Sequence, residues 1–244
     1  NPANRLRLTL GLRGDLYGYD VDAWSQPLNA GHGSDGILSP KVALAWRPAG
    51  QIELYANYGE GFHSNDARGA TIAVDPTTGD PLSRVRLLVK ARGAELGARI
   101  ETPRFTASLV GFYLGLSSEL VFTGDAGTTE PNAATRRHGA EASLFWRPAD
   151  WLTVDASAAV THARFHNVER GRAFIPNAVD TVIAGGAAID FGHGITGSLR
   201  MRHFGAAPLI EDDSVRSRPT TLVNLGAYYR AGPIRFGVDM LNLF

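Results

Sequence analysis

With 44% hydrophobic residues, the 244-residue chain has enough apolar material for one large all-β domain or two ordinary domains. Its 24 basic and 24 acidic residues give a formal net charge of +0, which argues against a nucleic-acid partner because such binders normally carry a basic excess. The chain has no cysteine, and this excludes disulfide frameworks, thiolate metal sites and cysteine nucleophiles.

Membrane helices are also excluded by the pattern of apolar residues. No apolar run approaches the roughly 18 residues that a transmembrane helix needs. The first five residues lack the charged-then-apolar layout of a secretion signal. We therefore expect either a soluble protein or one that spans a membrane as a β-barrel.

The first predicted element is a strand that begins near Arg5, where leucines alternate with polar residues. A period of two gives a strand one apolar and one polar face. Residues 105–122 and 179–191 are apolar at both odd and even positions, and we predict strands there from composition and flanking turns. The same clear alternation as in the first strand is found around Leu44, Leu54, Leu96, Leu144, Val154 and Leu199.

Short turn-forming segments and long polar segments alternate between these strands. This alternation predicts an antiparallel all-β fold of about eleven strands, with every long loop on the side opposite the tight turns. The tight turns are predicted at residues 48–50, 102–103, 148–150, 192–194 and 231–233. The long loops are predicted at residues 23–36, 62–89, 124–135, 166–178 and 205–219.

The strands favour an antiparallel transmembrane β-barrel over a soluble sandwich. Well-defined strands have about ten to twelve residues, the length that a tilted strand needs to cross a bilayer. Trp46, Trp146 and Trp151 lie beside tight turns, where an interfacial aromatic belt would lie. The polar faces combine charged side chains with Gly, Ala and Ser, as suits the wet wall of a wide barrel.

The period of two also assigns the two faces of the sheet. The predicted lumen-facing residues are Glu53, Arg99, Glu141, Asp155, Arg200 and Asp239. The predicted lipid-facing residues are Leu8, Leu44, Trp46, Leu54, Leu96, Ile100, Leu144, Trp146, Val154, Leu199, Phe236 and Val238.

Residues 55–69, which read YANYGEGFHSNDARG, resemble a segment of a known family. This segment resembles the strand-and-loop segment of TonB-dependent receptor barrels, in which an aromatic-rich strand leads into a Gly-Phe-polar loop. Further resemblances follow in family order and cover nearly the whole chain: GAELG at residues 93–97, RHGAE at 137–141, IPNA at 175–178 and DMLNLF at 239–244.

The resemblance implies a bacterial outer-membrane receptor that imports a scarce nutrient, such as a metal chelate. In this family a barrel of about twenty-two strands surrounds an N-terminal plug domain, and uptake is energised through TonB at the inner membrane. The implied partners are outer-membrane lipid, an imported small-molecule ligand, the receptor's own plug domain and TonB. Neither a cofactor nor a nucleic acid is expected.

The sequence departs from the family pattern because it has no plug, no TonB-contacting segment and only about half the strands. We therefore expect residues 1–244 to be a partial, truncated barrel domain, with residues 5–21 and 234–244 as unpaired sheet edges. Open edges are not tolerated in lipid, so this piece alone is not expected to form a stable closed barrel.

Alternative functions need other features. A passive porin would have a pore-constricting loop and no plug. An outer-membrane hydrolase would need His63, Ser64 and Asp66 to converge, which adjacent loop residues rarely do. A metal site could use His162 with His166, or the acids at residues 211–213, but such acids are usually solvated and this histidine spacing suits a helix. We predict no catalytic residues and no metal site.

Two long loops carry the ligand-binding candidates. Both should lie on the extracellular side and supply part of a capture surface. In the alternative interpretation, the loop acids only neutralise nearby arginines. The candidates are His63, Asn65, Asp66 and Arg68 in the first loop and Glu211, Asp212, Asp213 and Arg216 in the second.

Overall fold

A computed structural model of the chain describes residues 5–123 and 128–244. Its main element is an eleven-stranded antiparallel sheet, beside which β6 and β7 form a separate two-stranded sheet. A 3-10 helix at Pro27–Asn29 and a short helix α1 at Ala67–Thr71 complete the secondary structure of the described residues. The strands are β1 Leu6–Val21, β2 Gly31–Ala49, β3 Ile52–Ser64, β4 Leu88–Glu101, β5 Phe105–Leu116, β6 Glu119–Thr123, β7 Thr128–Asn132, β8 Thr135–Ala149, β9 Leu152–Phe165, β10 Thr181–Gly192, β11 Ile195–Phe204, β12 Thr220–Ala231 and β13 Ile234–Met240.

The main sheet is a meander in which each strand pairs with the next one in the chain, except that β5 pairs with β8 across the β6–β7 hairpin. Every tight turn predicted from Gly and Pro connects two neighbouring strands, as expected. Because the strands are antiparallel, all tight turns lie at one end of the sheet and all long connections at the other. We call these the turn end and the loop end.

Two predicted boundaries are wrong at the loop end. The connection between β1 and β2 was expected over residues 23–36, but β2 begins at Gly31. Glycine and polar residues there indicated a loop, yet Gly33 pairs directly with Tyr19, and the Tyr19 hydroxyl lies 2.6 Å from the position that a Cβ of Gly33 would take. The aromatic side chain covers this glycine, so the strand pairing continues through it.

The predicted strand at residues 105–122 is also wrong in its second half. The sheet strand β5 ends at Leu116, and β6 pairs only with β7. In the loop expected at residues 124–135, Thr128–Asn132 form the strand β7 instead, while residues 124–127 lie outside the described part of the chain. Residues that are apolar at both parities have no period, and the end of β5 could not be located from the sequence.

The strand register places the predicted lipid-facing and lumen-facing sets on opposite faces of the sheet. Leu8 pairs with Leu44, Leu44 with Ala56, and Ala56 with Leu96, so these residues share one face. Glu53 pairs with Arg99 on the other face. We call these the apolar face and the polar face.

The apolar face is exposed along the whole sheet: Leu8 is 59% exposed, Leu96 70% and Val238 64%. Among the described residues, no second sheet covers it, and this excludes the sandwich alternative. Most of the buried apolar residues form two small clusters at the loop end instead, one around Leu88 and one around Phe165.

The described sheet is open. β1 pairs only with β2 and β13 only with β12, so each has one edge without a partner in the part of the chain that the structure describes. Within the same residues, no helix has the length and apolarity to cross a membrane.

Candidate functional site

The loop end brings together the long connections that carry the predicted ligand-binding residues. His63 lies at the end of β3, pairs with Val89 and is half-buried on the polar face. Asn65 is 5% exposed, and its amide Nδ2 donates to the carbonyl oxygen of Arg86 at 2.7 Å. Asn65 therefore fixes the path of its own loop.

Asp66 caps the first turn of helix α1. Its Oδ1 accepts a hydrogen bond from the Arg68 backbone amide at 2.8 Å, as N-cap carboxylates do. Its carboxylate also pairs with the Arg68 guanidinium, with 2.5 Å between Nη2 and Oδ2. The Arg68 side chain, followed by the Arg68 backbone amide, lowers the pKa of Asp66 to about 2. This loop therefore presents an exposed, ionised pair.

The second candidate group lies between β11 and β12 and is internally paired. Arg216 donates to Asp213 at 2.8 Å and to Asp180 at 3.0 Å. Asp212 accepts from the Ser214 amide at 2.9 Å, and this backbone hydrogen bond lowers the pKa of Asp212. The four polar side chains of this group contact their own loop and the β9–β10 loop.

Glu211 joins the two loops. It lies 3.4 Å from Arg172 of the β9–β10 loop, and its backbone oxygen accepts from the Phe174 amide at 3.0 Å. A cavity of about 350 Å³ opens beside this contact and is lined by Val168, Arg172 and Glu211. Sequence reasoning missed Arg172 and Asp180, because no spacing signal connects them with the acids of the β11–β12 loop.

The structure thus pairs Asp66 with Arg68 and Asp213 with Arg216, but it does not join the two groups. Among the described residues, no hydrogen bond or ion pair connects the β3–β4 loop with the β11–β12 loop. Both loops lie at the same end of the sheet, as predicted from the alternation of turns.

The polar face forms a charged wall below these loops. Arg200 pairs with Asp155 at 2.5 Å by reaching across Gly186, where a Cβ would lie 2.6 Å from the Arg200 Cδ. Tyr55 lies in the same way across Gly97. A depression of about 580 Å³ near the turn end is lined by Arg7, Glu53, Tyr55, Asn57 and Arg99, among other residues.

The hydrolase alternative is not supported by this geometry. His63 and Ser64 are consecutive residues of β3 and therefore point to opposite faces, and Asp66 is engaged by Arg68. His162 lies beside His138, with 5.6 Å between the ring centroids, and His166 lies beyond the end of β9. In the described part of the chain, no three His, Asp or Glu side chains are grouped so that they could hold a metal ion.

Comparison with known proteins agrees with this architecture. The model of the TonB-dependent receptor-like β-barrel family matches residues 1–243. No curated protein matches the sequence significantly.

Solved structures with the same fold include three named transport proteins. The ferric yersiniabactin uptake receptor FyuA from Yersinia pestis has a TM-score of 0.78 at 17% identity, over 98% of this chain and 38% of that one. The copper transporter OprC has a TM-score of 0.76 at 17% identity, over 99% of this chain and 40% of that one. The ferric preacinetobactin receptor BauA from Acinetobacter baumannii has a TM-score of 0.76 at 19% identity, over 99% and 36%. The chain thus spans 36–40% of the length of these structures, and at such identities the likeness establishes the fold alone.

Proposed function

The chain belongs to the TonB-dependent receptor-like β-barrel family, and on this premise we propose that it forms part of the barrel of a bacterial outer-membrane receptor that imports a scarce nutrient. The observation that carries the proposal is the exposed apolar face of the sheet, which lies opposite a charged polar face. A sheet with these two faces suits a barrel wall between lipid and a wet lumen.

The named structures support a metal or a metal chelate as the imported ligand. Two of them are receptors for ferric complexes and one is a copper transporter. In the complete receptor, further strands and a plug domain would join residues 1–244, and TonB would energise uptake. The loop end would then face the outside of the cell, where a scarce ligand is captured.

We further propose that the polar loop residues take part in capture. The Asp66–Arg68 pair is exposed and ionised, so it can exchange its mutual contact for a contact with a charged ligand. Glu211 lines the cavity between the β9–β10 and β11–β12 loops, and Asp212 and Asp213 follow it in the chain. Asn65 fixes the first loop through its hydrogen bond to the Arg86 carbonyl oxygen, and His63 lies nearby on the polar face.

The test is ligand uptake by the complete receptor after Asp66→Ala with Arg68→Ala and, separately, after alanine replacement of residues 211–213. We expect at least one variant to lose about tenfold or more in apparent affinity with normal surface expression, since a charge-assisted contact is lost. The matched control is Arg104→Ala with Asp150→Ala, because this exposed pair lies 2.9 Å apart at the turn end. Normal uptake by both loop variants would reject the capture role.

Dependence on TonB separates active import from passive diffusion. Uptake by the complete receptor is expected to stop in cells that lack TonB. Uptake that continues at the same rate in those cells would identify a passive porin instead.

A further inference from the structure

Basic side chains are confined to one place on the apolar face. Along the described strands of the main sheet, every lysine and arginine on this face lies on β4, β8 or β9, close to the loop end. These residues are Lys90, Arg92, Arg136 and Arg164, and we call them the basic cluster. The polar face, by contrast, carries arginines from β1 to β13.

The strand register aligns three of the four cations in one row. Arg92 pairs with Gly115, Gly115 with Arg136, and Arg136 with Arg164. Because Gly115 has no side chain, the Tyr113 ring extends over it, and the Tyr113 hydroxyl lies 3.1 Å from where a Cβ would be. The row therefore combines three guanidinium groups with one hydroxyl, all of which can donate hydrogen bonds.

The cluster has more positive than negative charge. Glu60 is shared by Lys90 at 2.6 Å and Arg92 at 3.1 Å. Arg164 stacks on Phe174, with its guanidinium carbon 3.9 Å from the ring centroid. The exposed Arg136 has no hydrogen-bond or ion-pair partner among the described residues. Among the side chains that the structure describes, one carboxylate thus faces four cations, and the cluster is suited to a further anion.

An apolar groove begins directly below the cluster. It has a volume of about 1080 Å³ and contains the rings of Tyr113, His138 and His162 at its upper end. Small residues form its floor, including Ala94, Ala98, Gly111 and Ala140, while Leu54, Leu96, Leu109 and Val160 form its walls. Arg92 lies about nine residues from the turn end of β4, roughly the length that crosses a bilayer, so the cluster would lie at the outer membrane boundary.

We propose that this surface binds a phosphorylated, acylated lipid of the outer leaflet. Its phosphate would accept hydrogen bonds from Arg92, Arg136 and Tyr113, and one acyl chain would lie in the groove. Guanidinium groups suit this role because they pair bidentately with phosphate oxygens. The inference rests on the outer-membrane location given by the proposed function, but it concerns the face opposite the lumen and requires no transported ligand.

The test measures lipid binding by the complete receptor, refolded in detergent so that it carries no lipid. Native mass spectrometry with diphosphorylated lipid A is expected to show bound lipid on the wild type. The double variant Arg92→Gln with Arg136→Gln should bind about tenfold more weakly, and dephosphorylated lipid A should bind the wild type more weakly by a similar factor. The control is Arg202→Gln with Arg230→Gln, which removes two arginines from the polar face and should leave binding unchanged.

Wild-type affinity in the Arg92 and Arg136 double variant, or equal binding of the dephosphorylated lipid, would overturn the proposal. The readout is independent of transport. A receptor that binds this lipid as expected but does not import a nutrient would reject the proposed function alone, whereas normal uptake with unchanged lipid binding in the double variant would reject the lipid site alone.

Discussion

The turn end and the loop end of the same sheet are specified in different ways. At the turn end, the sequence WRPA occurs twice and forms the same hairpin twice: Trp46 pairs with Leu54 in one, and Trp146 pairs with Val154 in the other. At the loop end, the buried clusters and the polar loop contacts join residues that are far apart in the chain. Local sequence therefore determines the turns, while tertiary contacts determine the loops.

Asn29 illustrates the tertiary control of the loop end. It belongs to the β1–β2 connection and is 8% exposed. Its Oδ1 accepts hydrogen bonds from the amides of Ala73 at 2.8 Å and Val74 at 3.0 Å, and its Nδ2 donates to the Val74 carbonyl at 2.8 Å. One side chain thus fixes a loop more than forty positions away.

The largest expected effect is a difference in the stability cost of arginine between the middle of the apolar face and its turn end. Leu96→Arg in the complete receptor should lower the free energy of unfolding in lipid vesicles by roughly 2–4 kcal/mol, because it lies near the middle of the membrane-crossing part of β4. Val154 pairs with Trp146 close to a tight turn. Val154→Arg should therefore lower the free energy of unfolding by only about 0–1 kcal/mol. Equal costs at both positions would contradict this placement of the membrane.

A smaller effect is expected from Asn29→Ala at the loop end. Three hydrogen bonds are lost, and two backbone amides lose their acceptor, so the free energy of opening the β3–β4 loop should fall by about 2 kcal/mol. Hydrogen exchange at Ala73 and Val74 should then be about thirtyfold faster. Arg104→Ala at the turn end is the control, since it removes one exposed ion pair and should leave exchange in this loop unchanged. Unchanged exchange in Asn29→Ala would mean that other contacts hold the loop.

The smallest effect concerns the pH dependence of helix α1. The folded pKa of Asp66 is lowered to about 2, so its capping contribution is complete above the ordinary pKa of an aspartate and is lost as the pH falls through the folded value. After correction for the pH dependence of intrinsic amide exchange, the protection of α1 against hydrogen exchange should therefore stay constant from pH 7 to about pH 5 and fall only in stronger acid. In Arg68→Ala the pKa of Asp66 should move towards its ordinary value, and the loss of this protection should begin at a higher pH. An unchanged pH profile in Arg68→Ala would show that the Arg68 guanidinium does not lower the pKa of Asp66.

The features that could be predicted from the sequence are those with a local cause. Proline and glycine located the tight turns, and the period of two assigned the faces, because neither depends on distant residues. The start of β2 could not be found, since Gly33 is held in the sheet by a tyrosine of another strand. The end of β5 was missed because apolar and polar residues do not alternate there.

The candidate site was less predictable. Glu211 and Arg216 were identified as polar loop residues, but their partners Arg172 and Asp180 lie in a different loop. The basic cluster was missed for a related reason. Its arginines are isolated in the sequence, and only the strand register places them in one row.

The large side chains that lie over glycines on the polar face determine how much open space the wall leaves. Tyr19 covers Gly33, Tyr55 covers Gly97, and Tyr228 covers Gly237. Each tyrosine extends over the neighbouring strand at a position where that strand has no side chain. In the proposed barrel, replacing one of these glycines with a larger residue would displace the ring and narrow the lumen. In the proposed receptor, the glycines of the wall would thus set the clearance available to a plug or a permeating solute, although none of them needs to contact either one.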